Sequence, residues 1–113
     1  PGGIRRALLG FFPAMLLDRV RWRPGAQGSW LPGLAFALGH ADAMTLNEVV
    51  LFKDPQVAVF DTVLWAHEVA HVTQYQRWGV EGFAERYAAD REAVEREARE
   101  TATRFRDWRI GRR

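Results

Sequence analysis

The chain has 113 residues, of which 48% are hydrophobic and 27% charged, the proportions of an ordinary globular protein with one modest core. It has no cysteine, which excludes structural disulfides and Cys-based zinc or iron–sulfur sites and leaves any metal to His, Asp or Glu. The formal charge is only +2, and no nucleic-acid motif or interleaving of basic and aromatic residues accompanies it, so no nucleic-acid partner is expected.

In chain order, the first feature is an apolar run from Ala7 to Leu17, bracketed by Arg5 and Arg6 before it and Asp18 and Arg19 after it. Its eleven residues fall short of the roughly twenty that span a bilayer, and no small-residue cleavage site follows. The expectation is a buried first helix, bent near Pro13, with no stable membrane insertion. The chain does not start with Met, as expected of a product processed or cut from something longer. "DRVRWRPG" alternates Val20 and Trp22 against arginines and stops at Pro24-Gly25, which predicts a short strand and a turn. Three Gly and two Pro between 24 and 33 predict a loop. "AMTLNEVVLFKDP", 43 to 55, is the second strand candidate, ended by Asp54-Pro55. Two short strands predict a small antiparallel sheet.

From Gln56 the period changes. Val57, Phe60, Val63 and Leu64 recur at three and four, and the pattern runs to Trp78 before Gly79, a natural C-terminal cap. A second helical region extends from Glu81 to about Trp108, with Phe83, Tyr87, Val94, Ala98, Thr101, Phe105 and Trp108 as its stripe and a break at Asp90, which can cap a new helix. Six Arg against two acidic residues from Arg99 to Arg113 read as a solvated helix end. The expected class is α+β, one domain over residues 1–113: a short sheet packed on one helix, with a C-terminal helix beside it.

The first of those helices contains "WAHEVAHVTQYQ", residues 65 to 76. Positions i and i+4 share a helix face, so His67 and His71 can direct imidazole nitrogens at one ion from successive turns. Glu68 lies about 100° round the helix, within reach of a water on that ion without binding the ion itself. Catalytic zinc takes three protein ligands and keeps a position open. The third must come from elsewhere: His40 in "LGHADA" or a carboxylate of the second helix. With the apolar stripe facing inward, Glu85 and Glu92 fall far from it, while Glu95 and Glu97 flank it on opposite sides, and periodicity leaves those two open.

"HEVAH" followed by "EREA" resembles the gluzincin clan of zinc metallopeptidases, in which a Glu on a later helix is the third ligand. "AHEVAHVTQYQRWGVEGFAERY" with "LNEVVLF" upstream is similar to the small bacterial His-Glu-x-x-His domains related to those fused to contractile-injection-system proteins. The resemblance implies a small zincin-like fold with His67, His71 and Glu95 as zinc ligands, Glu97 as the runner-up, and Glu68 as general base. It implies a soluble bacterial protein, cytoplasmic or secreted. Several gluzincins hold a zinc histidine with an Asp four residues beyond the ligand Glu; here that position is Arg99, which leaves Asp90 or Asp61 as replacements. The strand before the active-site helix, Leu46 to Phe52, would be the sheet edge that pairs with extended substrate. Tyr87, His40 and Tyr75 are the candidate donors to a reaction oxyanion, and Gln74 either orients a ligand or caps a loop.

The expected function is therefore zinc-dependent hydrolysis of peptide bonds in a peptide or protein substrate, by a zinc-bound water with Glu68 as its base. The alternative is a zinc-stabilised binding or assembly module, or an effector domain of a larger protein, whose peptidase chemistry is dormant. Its motive is size: the chain lacks the second subdomain that usually walls a substrate cleft.

Overall fold

The computed structural model describes residues 1–23 and 42–112. The loop expected over 24–33 and His40 lie outside them. The architecture is α+β. The apolar run near the start forms two helices, α1 (Gly2–Leu8) and α2 (Ala14–Arg19), in place of one bent helix. The break precedes the proline: Gly10 adopts φ 97°, and Leu9 and Pro13 are extended. An L side chain rarely adopts that φ, so Gly10 ends helical propagation there. Ile4, Leu8, Phe12, Leu16 and Leu17 all point into the core.

β1 (Arg21–Arg23) follows directly. The stretch expected as one strand over 43–55 is a hairpin, β2 (Ala43–Leu46) and β3 (Val49–Phe52), joined through Asn47 and Glu48. Asn47 takes φ 55°, the left-handed conformation that Asn tolerates better than most residues. The sheet order is β1-β3-β2, with β3 antiparallel to β2 but parallel to β1, so the sheet is mixed rather than antiparallel. β3 pairs on both sides and is the central strand of those described. The expected edge at Leu46 to Phe52 is therefore corrected: within the described sheet, β2 and β1 are the edges.

The helix expected from Gln56 starts with a separate turn, α3 (Val57–Phe60), and resumes after Asp61 as α4 (Thr62–Ala89). Asp61 leaves helical geometry and its side chain accepts from the Leu64 N–H, capping α4. Phe60 consequently points outward, 76% exposed, although its spacing placed it on the inner stripe. Inside α4, Gly79 adopts φ 74° and ψ 170°, and the helix continues beyond it in a new direction. A single residue, Asp90, then separates α4 from α5 (Arg91–Gly111), and its carboxylate caps α5 by accepting from Ala93 N–H. The helical break expected at Asp90 is observed.

Two apolar clusters hold these elements. The larger joins α1 and α2, the sheet, the first half of α4 and the end of α5 through Val50, Phe52, Trp65, Val69 and Phe105. Trp65 satisfies its indole N–H on the Ala58 carbonyl at 2.8 Å. The smaller joins the two halves of α4 to the start of α5 through Tyr75, Phe83 and Val94, with the Tyr75 and Phe83 rings stacked at 3.9 Å. Between the two clusters lie the histidines. Among the described residues, no helix is long and apolar enough to cross a membrane.

Candidate metal centre

Helical spacing sets His67 and His71 on one face of α4, their ring centroids 5.0 Å apart. α5 crosses that face and delivers Glu95, whose Oε1 lies 3.0 Å from His67 Nε2 and 3.2 Å from His71 Nε2. The three ligand atoms lie within 4.8 Å of one another, so the group is placed to hold a metal ion. The donor set fits one. Ligand atoms about 2.0–2.1 Å from a tetrahedral zinc stand about 3.3 Å apart, close to the two separations from Glu95 Oε1 to the histidine nitrogens. Two nitrogens facing one carboxylate oxygen also need positive charge between them, from protons or from a cation.

The surroundings are mostly dry. His71 is 5% exposed, Glu68 4% and Gln74 0%. The Phe83 ring meets the His71 ring edge-to-face at 5.9 Å. Hydrogen bonds from both histidines hold the Glu95 carboxyl well below the usual carboxylate range, against the effect of its partial burial. For His71, burial disfavours the charged ring, but the bond to Glu95 and the negative charges of Glu68 and Glu95 outweigh it and raise its pKa. Tyr87 donates to Glu95 Oε2 at 2.7 Å, and burial together with that carboxylate pushes its phenol up to about 12.

Glu68 sits beside this group on the buried side of α4. Thr45 donates to its Oε1 at 2.8 Å, and burial pushes its carboxyl up against the lowering pull of His71, His67 and Thr45. Thr45 is a site residue that the sequence reading missed. Its signal was present: in β2 it alternates inward with Ala43, a polar residue at a core-facing position.

Of the other candidates, Glu97 does not join the histidines. Its Oε1 accepts from Gln74 Nε2 at 3.1 Å and from Arg77. Tyr75 donates to the Thr45 carbonyl at 3.3 Å, holding β2 to α4. Asp61 and Asp90 cap helices, and Arg99 pairs with Glu92, so none of the three supports a histidine. That role belongs to Gln74, whose Oε1 lies 2.7 Å from His71 Nδ1.

A family model described as the eCIS core domain matches residues 1–79, a stretch that includes His67, Glu68 and His71 and ends before Glu95. No match is found among curated proteins or among solved structures.

Proposed function

The chain belongs to the eCIS core domain family, and from that premise we propose that it is an assembly module of an extracellular contractile injection system, pinned by a zinc ion between α4 and α5. The observation that carries this reading is the convergence of His67 and His71 from one helix with Glu95 from another. A cation held by ligands from two helices ties them together, and its binding free energy becomes folding free energy. Two imidazoles and one carboxylate suit zinc. The partners of such a module are other proteins of the same system.

Glu68 favours a second reading, hydrolysis of a peptide bond. Its carboxyl is buried beside the histidines and raised in pKa, the direction that suits a general base near neutral pH. In that reaction zinc, when bound, supplies Lewis acidity toward a carbonyl and a water. Glu68 takes a proton from the attacking water on Oε2, the oxygen that Thr45 leaves free, and returns it to the departing amine. His67, His71 and Glu95 hold position, and Tyr87 keeps Glu95 from rotating.

The test is metal content by mass spectrometry on protein purified without added metal, beside His71→Ala and Glu95→Ala, with melting curves before and after chelation. The pinned module predicts about one zinc per chain, lost in both variants, and a melting temperature that chelation lowers. Absence of zinc from the parent, even when zinc is offered, overturns it. Chelator-sensitive cleavage of a peptide library by the parent, absent in Glu68→Gln, would establish the second reading; cleavage surviving in that variant removes Glu68 as the base.

A further inference from the structure

The two edges of the described sheet are protected in different ways. β1 presents Arg21 and Arg23, both exposed, and charged side chains of that kind keep an edge strand from pairing with another chain. β2, Ala43-Met44-Thr45-Leu46, has no charged residue and no proline, and its Leu46 side chain is exposed. The register decides which backbone groups of β2 are turned away from β3. The Lys53 N–H donates to the Asp42 carbonyl at 2.9 Å, and bonded pairs alternate along an antiparallel ladder. Asp42, Met44 and Leu46 therefore bond toward β3, while the N–H and C=O of Ala43 and Thr45 and the N–H of Asn47 face the open side. A single phenol takes the outward pair nearest the turn. Tyr75, from α4, donates its hydroxyl to the Thr45 carbonyl at 3.3 Å. Burial raises the pKa of that phenol, and a bond from the Asn47 N–H pulls the other way.

We propose that Tyr75 is an edge guard: its phenol fills the backbone positions at Thr45 and Asn47 that the β2 strand of a second copy would otherwise bond, and so keeps two chains from joining their sheets edge to edge. Two β2 strands related by a two-fold axis would pair antiparallel, with Ala43 of one opposite Thr45 of the other. In that pairing the Thr45 carbonyl must accept from the Ala43 N–H of the other copy, and the phenol already holds it. The phenol is itself held in place, 8% exposed, with its ring stacked on Phe83 at 3.9 Å. Phe83 stands beyond the Gly79 bend, so the change of direction in α4 that builds the smaller apolar cluster also fixes the guard. Only backbone groups and a phenol take part, and the guard stands whether or not the site takes a metal.

The experiment compares the full chain with Tyr75→Phe, which keeps the stacked ring and removes the hydroxyl, by sedimentation over a range of concentrations and by hydrogen exchange of the Asn47 amide. The parent is expected to sediment as a monomer. Tyr75→Phe is expected to shift toward dimer as concentration rises, and its Asn47 amide to lose protection in samples dilute enough to be monomeric. Adding Leu46→Lys, which gives β2 the kind of charge that β1 already carries, is expected to return Tyr75→Phe to monomer and so separates edge pairing from the clumping of unfolded chains. A hydroxyl that only fastens β2 to α4 would leave Tyr75→Phe less stable and still monomeric, which overturns the proposal. Association that Leu46→Lys does not relieve overturns it too, as does unchanged protection of Asn47. So does a parent dimer that Leu46→Lys alone dissociates, since the edge would then be open with the phenol in place.

Discussion

Tyr87 and Glu95 divide one carboxylate between two jobs. The phenol donates to Oε2 at 2.7 Å, and Oε1 is left facing both histidines. Tyr87→Phe removes the donor without changing the ring that packs beside Phe83. Zinc affinity is expected to fall by about 1 kcal/mol, the worth of one hydrogen bond to a charged acceptor offset by water. Competition titration against a chromogenic chelator checks it, and an unchanged affinity would mean that Glu95 keeps its orientation without help.

Glu95 and Glu97 are two residues apart, and the structure gives them different company. Glu95→Ala is expected to lose the metal. Glu97→Ala is expected to keep about one equivalent, with affinity lowered through Gln74 alone. Equal loss in both would move the ligand assignment.

Glu68 is expected to weaken the fold that it serves. Its folded pKa is raised, so the unfolded chain releases this proton first as pH rises, and ionisation in the buried site costs stability above the ordinary carboxylate range. Glu68→Gln keeps an oxygen for Thr45 and removes the charge. It is expected to raise the melting temperature of the metal-free protein at neutral pH and to leave it little changed near pH 4.

Glu95 has the opposite sign. Its folded pKa lies below the unfolded value, so its contribution is complete above the ordinary carboxylate range and is lost as pH falls through the depressed value. His71, raised in the fold, contributes below its unfolded value and loses that contribution as pH rises through the raised one. Metal-free protein is therefore expected to lose stability toward acid and toward alkali, with the acid slope flattened in Glu95→Gln. Melting temperature against pH for the two proteins checks this.

Gly79 is expected to resist replacement although nothing crowds it. A Cβ there would meet no heavy atom within 4 Å, so the cost of Gly79→Ala is purely backbone. φ 74° with ψ 170° belongs to a region used almost solely by glycine, and the expected loss is about 1–3 kcal/mol. Denaturant unfolding measures it.

The convergence of His67, His71 and Glu95 was legible in the sequence, and so was the α+β class. His67, Glu68 and His71 were readable because four residues make one helical turn, and Glu95 stood out from Glu85 and Glu92 by its angle to the apolar stripe. The choice of Glu95 over Glu97 needed the resemblance, because their angles were symmetric about that stripe. The hairpin was missed for a definite reason: Asn47-Glu48 carries no glycine, and its flanks are continuous in β propensity. Phe60 misled because a capping Asp can break a helix without disturbing the apolar period. Local pattern put Thr45 on an inward position and Gln74 one turn from His71, but it does not encode their partners, which lie 23 and 20 residues away along the chain.

α5 begins at the Asp90 cap, with Glu95 in its first turns and Gly111 at its far end. Glu95 stands about 7 Å along the helix from that cap and Gly111 about 30 Å, at about 1.5 Å per residue. Phe105 and Trp108 pack the far half against Phe11, at ring distances of 5.5 and 5.6 Å. Aromatic packing near the C-terminal end of α5 thus helps to set the direction of the helix whose first turns carry the Glu95 carboxylate.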